Sequence, residues 1–195
     1  MGSPLPPALA NLCMEFVERE IINRCDQDIR PFMWVRYVDD IFILFKGNED
    51  QLKKLVEFAN SILPSIKFTT EIEEGFKLPF LDVLVIRDSN SKTFKFSVYR
   101  KNTNSECYIH FYSDHSKEIK SNVIMNFALR ALRICEPEHI DSEILHISAT
   151  FKSLRYPQYF IEQAISKARK NYYGHKSNPV EKPKRYLSLP YNKKI

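Results

Sequence analysis

The stretch WVRYVDDIFILFKG, residues 34–47, places two adjacent carboxylates, Asp39 and Asp40, between two runs of large apolar side chains. Both runs are rich in β-branched and aromatic residues, which predicts two strands joined at the aspartates. One interpretation is an ordinary exposed turn, but such turns favour Gly or Asn beside the aspartate, and bulky Tyr37 and Val38 stand here. Two carboxylates held on a stiff hairpin are also what Mg²⁺ binds, so a metal site is the competing interpretation.

On both sides of this hairpin, the first half of the chain alternates predicted helices and strands. One helical period follows two prolines suited to a first turn, and a second begins after Asn48 or Asp50. In the last predicted strand, Phe94, Phe96 and Val98 alternate with polar residues, which predicts one buried face. The predicted elements are helices at 5–22 and 51–63, and strands at 66–73, 80–87 and 93–100.

The second half of the chain is predicted to be helical. Three periodic segments follow residue 113, with Ser113, Asp114 and Ser116 as candidate N-caps of the first and Pro157 in the first turn of the third. Prolines and lysines without a period indicate a linker from Gly174 onward. The predicted fold class is α+β, with domains at 1–112 and 113–173 and a basic tail at 174–195.

Composition and charge restrict the kind of protein. The sequence is 44% apolar, has a net charge of +5, and contains neither a run long enough to span a membrane nor a signal peptide. Its four cysteines lack metal-ligand spacing, which predicts reduced thiols and an intracellular location, nuclear or cytoplasmic. A tail with many lysines suits a polyanionic partner, although a solvated linker explains it as well.

Several ordered motifs resemble those of reverse transcriptases. The hairpin contains YVDD, residues 37–40, which resembles the tyrosine-x-Asp-Asp hairpin of that family's palm domain. MGSPLPPALANL at 1–12 resembles motif B, and LPFLDVLV at 78–85 resembles the Leu-Asp hairpin that follows the catalytic one. Residues 97–135 and LSLPYN at 187–192 are similar to the segments that follow the palm in Penelope-like retroelements.

The resemblance implies the later part of a polymerase palm followed by a thumb-like helical domain. It implies RNA-directed DNA synthesis by two-metal nucleotidyl transfer, with two Mg²⁺ ions, deoxynucleotides, an RNA template and a DNA primer as partners. A nuclease domain is a possible further part of the full-length element. The implied metal ligands are Asp39 and its neighbour Asp40, and the implied nucleotide-binding or template-binding residues are Gly2, Ser3, Pro4 and Tyr37.

The resemblance also implies that this metal site is incomplete. In the family a second aspartate on an earlier palm strand shares the ions, and basic residues of the fingers hold the nucleotide. Both precede motif B, where this sequence starts. We therefore expect the chain to be inactive as a polymerase on its own.

Basic residues after the hairpins are candidates for contact with a nucleic-acid backbone, with a solvated surface as the alternative. They are Arg100, Lys101, Lys117, Lys120, Arg130 and Arg133. For Asp82 a structural role on a strand is favoured over a functional one, and for His115 a capping or surface role over a ligand role. The three-helix segment also allows a second interpretation of the chain, as a non-catalytic nucleic-acid-binding fragment with a helix-turn-helix-like domain.

Overall fold

The computed structural model describes residues 5–89 and 93–176. The fold is α+β, as predicted, and the chain divides into two compact units, Met1–Lys92 and Thr93–Ile195. This division falls about twenty residues before the predicted end of the palm at residue 112. Among the described residues, no helix has both the length and the apolar character that a membrane span requires.

Within its described residues, 5–89, the first unit has two α-helices, a short 3-10 helix and two β-hairpins. Its core forms where Val17 and Ile21, one helical turn apart on the first helix, and Cys25, directly after that helix, pack with Leu55 and Ala59 of the second. Its elements are α1 (Leu5–Arg24), a 3-10 helix (Gln27–Ile29), β1 (Met33–Tyr37), β2 (Asp40–Leu44), α2 (Glu49–Ile62), β3 (Lys77–Phe80) and β4 (Val83–Asp88).

Two strand predictions in this unit are wrong. Within 66–73 the structure has no strand, and Asn60 offers a physical reason. Its side chain accepts from the backbone N–H of Phe68 at 2.7 Å and donates to the carbonyl of Phe68 at 3.1 Å. The second error is the single strand at 80–87, which is interrupted by a turn at Leu81 and Asp82 that joins β3 to β4.

Within its described residues, 93–176, the second unit contains one strand and three helices. They are β5 (Thr93–Val98), α3 (Lys117–Ile134), α4 (Pro137–Ser153) and α5 (Gln158–Lys176). Among the three candidate caps Ser116 is the N-cap of α3, because its hydroxyl accepts from the N–H of Ile119 at 3.3 Å. The helix α5 starts at Gln158, so Pro157 precedes the helix and does not lie within its first turn as predicted. The helix continues to Lys176, slightly beyond the predicted start of the linker.

The core of this unit is built from one face of each helix. Phe151 of α4 is 1% exposed and contacts the rings of Tyr108, Phe127 and Tyr156. The remaining buried members are small or aliphatic, and the alanines allow the backbones of α3 and α5 to approach closely. These members are Ile124, Ala128, Ala131, Leu132, Ile147, Ile161, Ala164, Ile165 and Ala168.

The prediction that Phe94, Phe96 and Val98 form a buried face of β5 is wrong for the two phenylalanines, and Val98 is half-buried. Phe94 is 40% exposed and Phe96 37% exposed, whereas Lys95, on the other face, is less exposed. The ammonium of Lys95 lies 2.9 Å from a carboxylate oxygen of Glu138, the second residue of α4. This ion pair links the polar face of β5 to the first turn of α4.

Candidate functional site

The two aspartates lie at the tip of the first hairpin. The strand register pairs Tyr37 with Asp40, so the turn consists of Val38 and Asp39, and Asp40 is the first residue of β2. Both carboxylates are exposed, and their apolar neighbours Tyr37 and Val38 are 61% and 63% exposed. The carboxylates therefore pay no burial penalty here, because solvent reaches the tip from both sides.

The backbone of this turn is strained. Val38 has a φ of +55°, while Asp39 is not among the residues with positive φ. This combination of signs is that of a type II′ turn, which normally has Gly at its first central position. A β-branched residue in this region costs about 1–2 kcal/mol because its Cβ crowds the following carbonyl. The second hairpin has the same sign pattern, with Leu81 at +54° before Asp82.

A polar network that the sequence did not suggest connects this turn to α1. A single carboxylate oxygen of Glu18 accepts from Trp34 Nε1 at 3.0 Å and from Arg36 Nε at 2.8 Å. Arg36 also donates through Nη1 to Asn11 Oδ1 at 3.1 Å and to the carbonyl of Val38 at 3.2 Å. The available signal was the placement of Asn11 and Glu18 two helical turns apart, on one face of α1.

The donor set at the tip fits a magnesium ion in part. Carboxylate oxygens are the ligands that Mg²⁺ accepts in proteins, and Asp39 and Asp40 present them to solvent. Within residues 5–89 and 93–176, no group of three or more His, Cys, Asp or Glu side chains could hold a metal ion. The two-ion site implied by the resemblance stays a prediction.

Several predicted residues lie outside the described part of the chain. These are Gly2, Ser3 and Pro4 of the motif B turn, and residues 177–195, which include most of the basic tail and the LSLPYN motif. Asp82 lies in the turn between β3 and β4, not on a strand. The ring of His115 is exposed, and its Nδ1 lies 3.2 Å from Ser113 Oγ, which fits the surface role that the sequence favoured.

Two of the predicted nucleic-acid contacts are engaged inside the protein. Lys120 is 8% exposed, and its ammonium donates to the carbonyl of Ser113 at 2.6 Å and lies 5.7 Å from the ring centroid of Phe111. Arg100 donates to both carboxylate oxygens of Glu143, one of them at 2.9 Å. These partners show that both cations help to hold the loop before α3 in place, so the prediction that they face nucleic acid does not fit this geometry.

The other predicted contacts are accessible to different degrees. Lys101, Lys117 and Arg133 are exposed. Arg130 is half-buried, with its guanidinium carbon 5.8 Å from the ring centroid of Phe127. Lys117 opens α3 and Arg133 lies in its last turn, so the two exposed cations of this helix are well separated.

A second network, also missed from the sequence, joins the loop before α3 to α4. Glu106 has a φ of +52°, and its carboxylate lies 2.6 Å from His146 Nε2 and accepts from Thr150 Oγ1 at 3.1 Å. Burial alone would raise the pKa of Glu106, but the hydrogen bond and charge of His146, together with Thr150 and Arg100, outweigh it and lower the pKa. The ionised carboxylate therefore stabilises this loop.

The connection between α4 and α5 has the length found in helix-turn-helix units. It consists of four residues, 154–157, and Arg155 within it has a φ of +67°. A left-handed residue in a tight turn of this kind allows two helices to leave it in different directions. The hydroxyl of Tyr156 donates to the carbonyl of Ile109 at 2.9 Å, which fixes the turn against the loop before α3.

Comparison with protein-family models finds a match over part of the chain. Residues 107–166 match the model of the animal helix-turn-helix domain. The match begins in the loop that Tyr108 anchors to the core and ends within α5. Comparisons with curated proteins and with solved structures find no match. The similarity to an animal helix-turn-helix domain therefore concerns the helical part of the second unit.

Proposed function

We propose that the helical unit binds nucleic acid. The observation that supports this function is the match of residues 107–166 to a helix-turn-helix family model, together with a trihelical core and a four-residue connection between α4 and α5. Helix-turn-helix units dock on duplexes through one helix and position themselves by contacts to the backbone. Lys117 and Arg133 are the exposed cations of α3 assigned to the phosphates.

Anisotropy of a fluorescein-labelled DNA duplex, measured at several salt concentrations, tests this proposal. Each lost phosphate contact should weaken binding and reduce the slope of log Kd against log salt by about 1. The test variants are Lys117→Ala and Arg133→Ala. The matched control is Arg19→Ala, because Arg19 is an exposed cation of the first unit whose partner is Glu15.

Two outcomes contradict this assignment. If all three variants bind with the affinity and salt slope of the unaltered chain, the cations of α3 do not contact the duplex. If binding is retained in the variants and lost when residues 177–195 are removed, the basic tail is responsible and the helical unit is not.

We further propose that the acidic hairpin is part of the metal site of a reverse transcriptase palm, with Asp39 as the main ligand and Asp40 beside it. Support comes from the exposed pair of carboxylates at the tip of a two-residue turn whose first residue is strained, since backbone strain concentrates at functional sites. Tyr37, which is 61% exposed, would line the nucleotide side. In the complete enzyme the partners would be an RNA template, a DNA primer and deoxynucleotides.

In this proposal, the residues of this chain position negative charge for the metal ions. Asp39 and Asp40 hold two carboxylates at the end of a paired hairpin, where the strand ladder limits their movement. Bound Mg²⁺ would supply activation of the primer hydroxyl and neutralisation of the triphosphate. Since further ligands of such ions lie elsewhere in the family, the chain alone should not extend a primer.

Titration with Mg²⁺, followed by amide chemical shifts, tests the hairpin without requiring polymerase activity. Shifts should concentrate at residues 37–41 and disappear in Asp39→Asn, while Asp50→Asn, which changes an exposed acid at the start of α2, should leave them unaltered. Shifts that persist in Asp39→Asn contradict the assignment of the ligand. Primer extension by the isolated chain that is lost in Asp39→Ala would contradict the expectation of inactivity.

A further inference from the structure

The strained turn has a specific partner for its central peptide. The Val38 carbonyl, which belongs to the peptide between the two turn residues, accepts from Arg36 Nη1 at 3.2 Å. Rotation of that peptide interconverts the two turn types that suit a two-residue hairpin, and in the other type Asp39 would also need a positive φ. The Arg36 bond thus favours one orientation of the peptide and, with it, one direction of the Asp39 side chain.

Arg36 is itself held in place from α1. Its Nε donates to Glu18 at 2.8 Å, and the side chains of this ion pair are each only 15% exposed. The same Glu18 oxygen accepts from Trp34 Nε1, and Asn11 accepts from Arg36 Nη1. The guanidinium of Arg36 has little freedom to turn because several of its donors, fixed in one plane, are in use. A lysine ammonium at the same position could not make this set of hydrogen bonds.

We propose that Arg36, anchored by Glu18, is a positioning residue that sets the orientation of the Asp39 carboxylate for metal binding. This inference rests on the proposed metal site at Asp39 and Asp40. Arg36 contacts neither the metal nor a substrate in this role. It acts through the peptide that precedes Asp39, as outer-sphere partners do at metal sites.

Charge and positioning predict opposite results when Arg36 is replaced. Removal of a cation near two carboxylates should by itself strengthen binding of a divalent cation, because a repulsive charge is lost. Loss of positioning should weaken it. The decisive variant is therefore Arg36→Lys, which retains the charge and loses the fork of donors.

The experiment measures Mn²⁺ binding to the full chain by paramagnetic broadening of amide signals. In the unaltered chain, broadening should centre on residues 38–41. In Arg36→Lys the Kd for Mn²⁺ should rise about tenfold, the lower end of the loss seen when an outer-sphere partner is removed. Glu18→Gln, which keeps an acceptor for Trp34 and releases the ion pair, should raise it in the same direction.

The control is Arg24→Lys, since Arg24 pairs with Glu20 on α1 at 3.1 Å, away from the turn. The coupling constant between the amide and α protons of Val38, which reports φ, is read in the same samples and should change in Arg36→Lys and Glu18→Gln but not in Arg24→Lys. Fluorescence of Trp34, the only tryptophan, shows whether each variant remains folded.

The possible failures are distinguishable. No broadening at residues 38–41 in the unaltered chain overturns the metal site and the positioning role together. Broadening with an unchanged or lower Kd in Arg36→Lys leaves the metal site standing and overturns the role of Arg36. An unchanged Val38 coupling with a raised Kd would overturn the route through the turn peptide.

Discussion

Replacement of Phe151 by alanine should remove a large part of the stability of the second unit. Phe151 is 1% exposed, and its ring lies at centroid distances of 5.3 Å from Tyr156, 5.8 Å from Phe127 and 5.9 Å from Tyr108. Its neighbours come from the loop before α3, from α3 and from the α4–α5 turn, so they cannot all close on the cavity. We expect a loss of about 3–5 kcal/mol in the free energy of unfolding.

Urea unfolding followed by far-UV circular dichroism measures this loss. With a slope of about 1–3 kcal/mol per molar urea, the midpoint should move down by roughly 2 M. Leu145→Ala, on the same helix but 70% exposed, is the matched control and should change stability by less than about 0.5 kcal/mol. A loss below about 1 kcal/mol for Phe151→Ala, or equal losses for the two variants, would refute the ring cluster as the centre of this core.

Three further results are expected. A thiol reagent applied to the folded chain should modify only the exposed cysteines, Cys13 and Cys107. Cys25 and Cys135 are buried, and burial raises the pKa of the Cys135 thiol. Mass spectrometry should therefore find label on Cys25 and Cys135 only after unfolding. Glu106→Gln should destabilise the chain at neutral pH. The stabilisation by the Glu106 carboxylate is present above the ordinary carboxyl pKa and is lost on protonation. Denaturation curves of the unaltered chain and of Glu106→Gln should therefore converge as pH falls through the lowered pKa of Glu106. Asn48→Ala removes the capping box of α2 and should cost about 1 kcal/mol, read from Trp34 fluorescence in urea.

The helices were predictable because their signals are local. The period of α1, the Asn48 cap of α2 and Pro157 before α5 each depend on residues within a few positions of one another. The structure places α1 at Leu5–Arg24 where the sequence predicted 5–22. The fold class followed from the order of these signals along the chain.

The strand errors have a different origin. The residue pattern at 66–73 predicted a strand whose backbone would pair with another strand. The Asn60 side chain instead forms hydrogen bonds with the backbone N–H and carbonyl of Phe68. The turn at Leu81 and Asp82 contains one residue type that is common in turns, Asp82, but Leu81 gives no signal for the positive φ that it adopts. At 66–73 the deciding contact comes from the side chain of Asn60, and at Leu81 the deciding feature is a backbone conformation, so a pattern of apolar residues contains neither.

The candidate site was predicted only in its exposed part. Asp39 and Asp40 stand out because charge interrupts an apolar run, which a sequence displays directly. Arg100 looked like a free cation, although its partner Glu143 is 43 residues away and on another element. The ion pair between Glu18 and Arg36 was not predicted for the same reason, because the two residues are 18 positions apart in the sequence. Pairings of this kind require the fold before they can be seen.

The turn conformations of the two hairpins in the first unit indicate which part of each hairpin forms first. Val38 and Leu81 both adopt a conformation that neither residue type prefers, so the isolated turns would not nucleate the strands around them. Nucleation is left to contacts between strands, such as Phe42 of β2 against Phe80 of β3 at 5.4 Å. Each hairpin should therefore zip from its strands toward its tip, with the tip closing last and opening first. At the first hairpin, that tip holds Asp39.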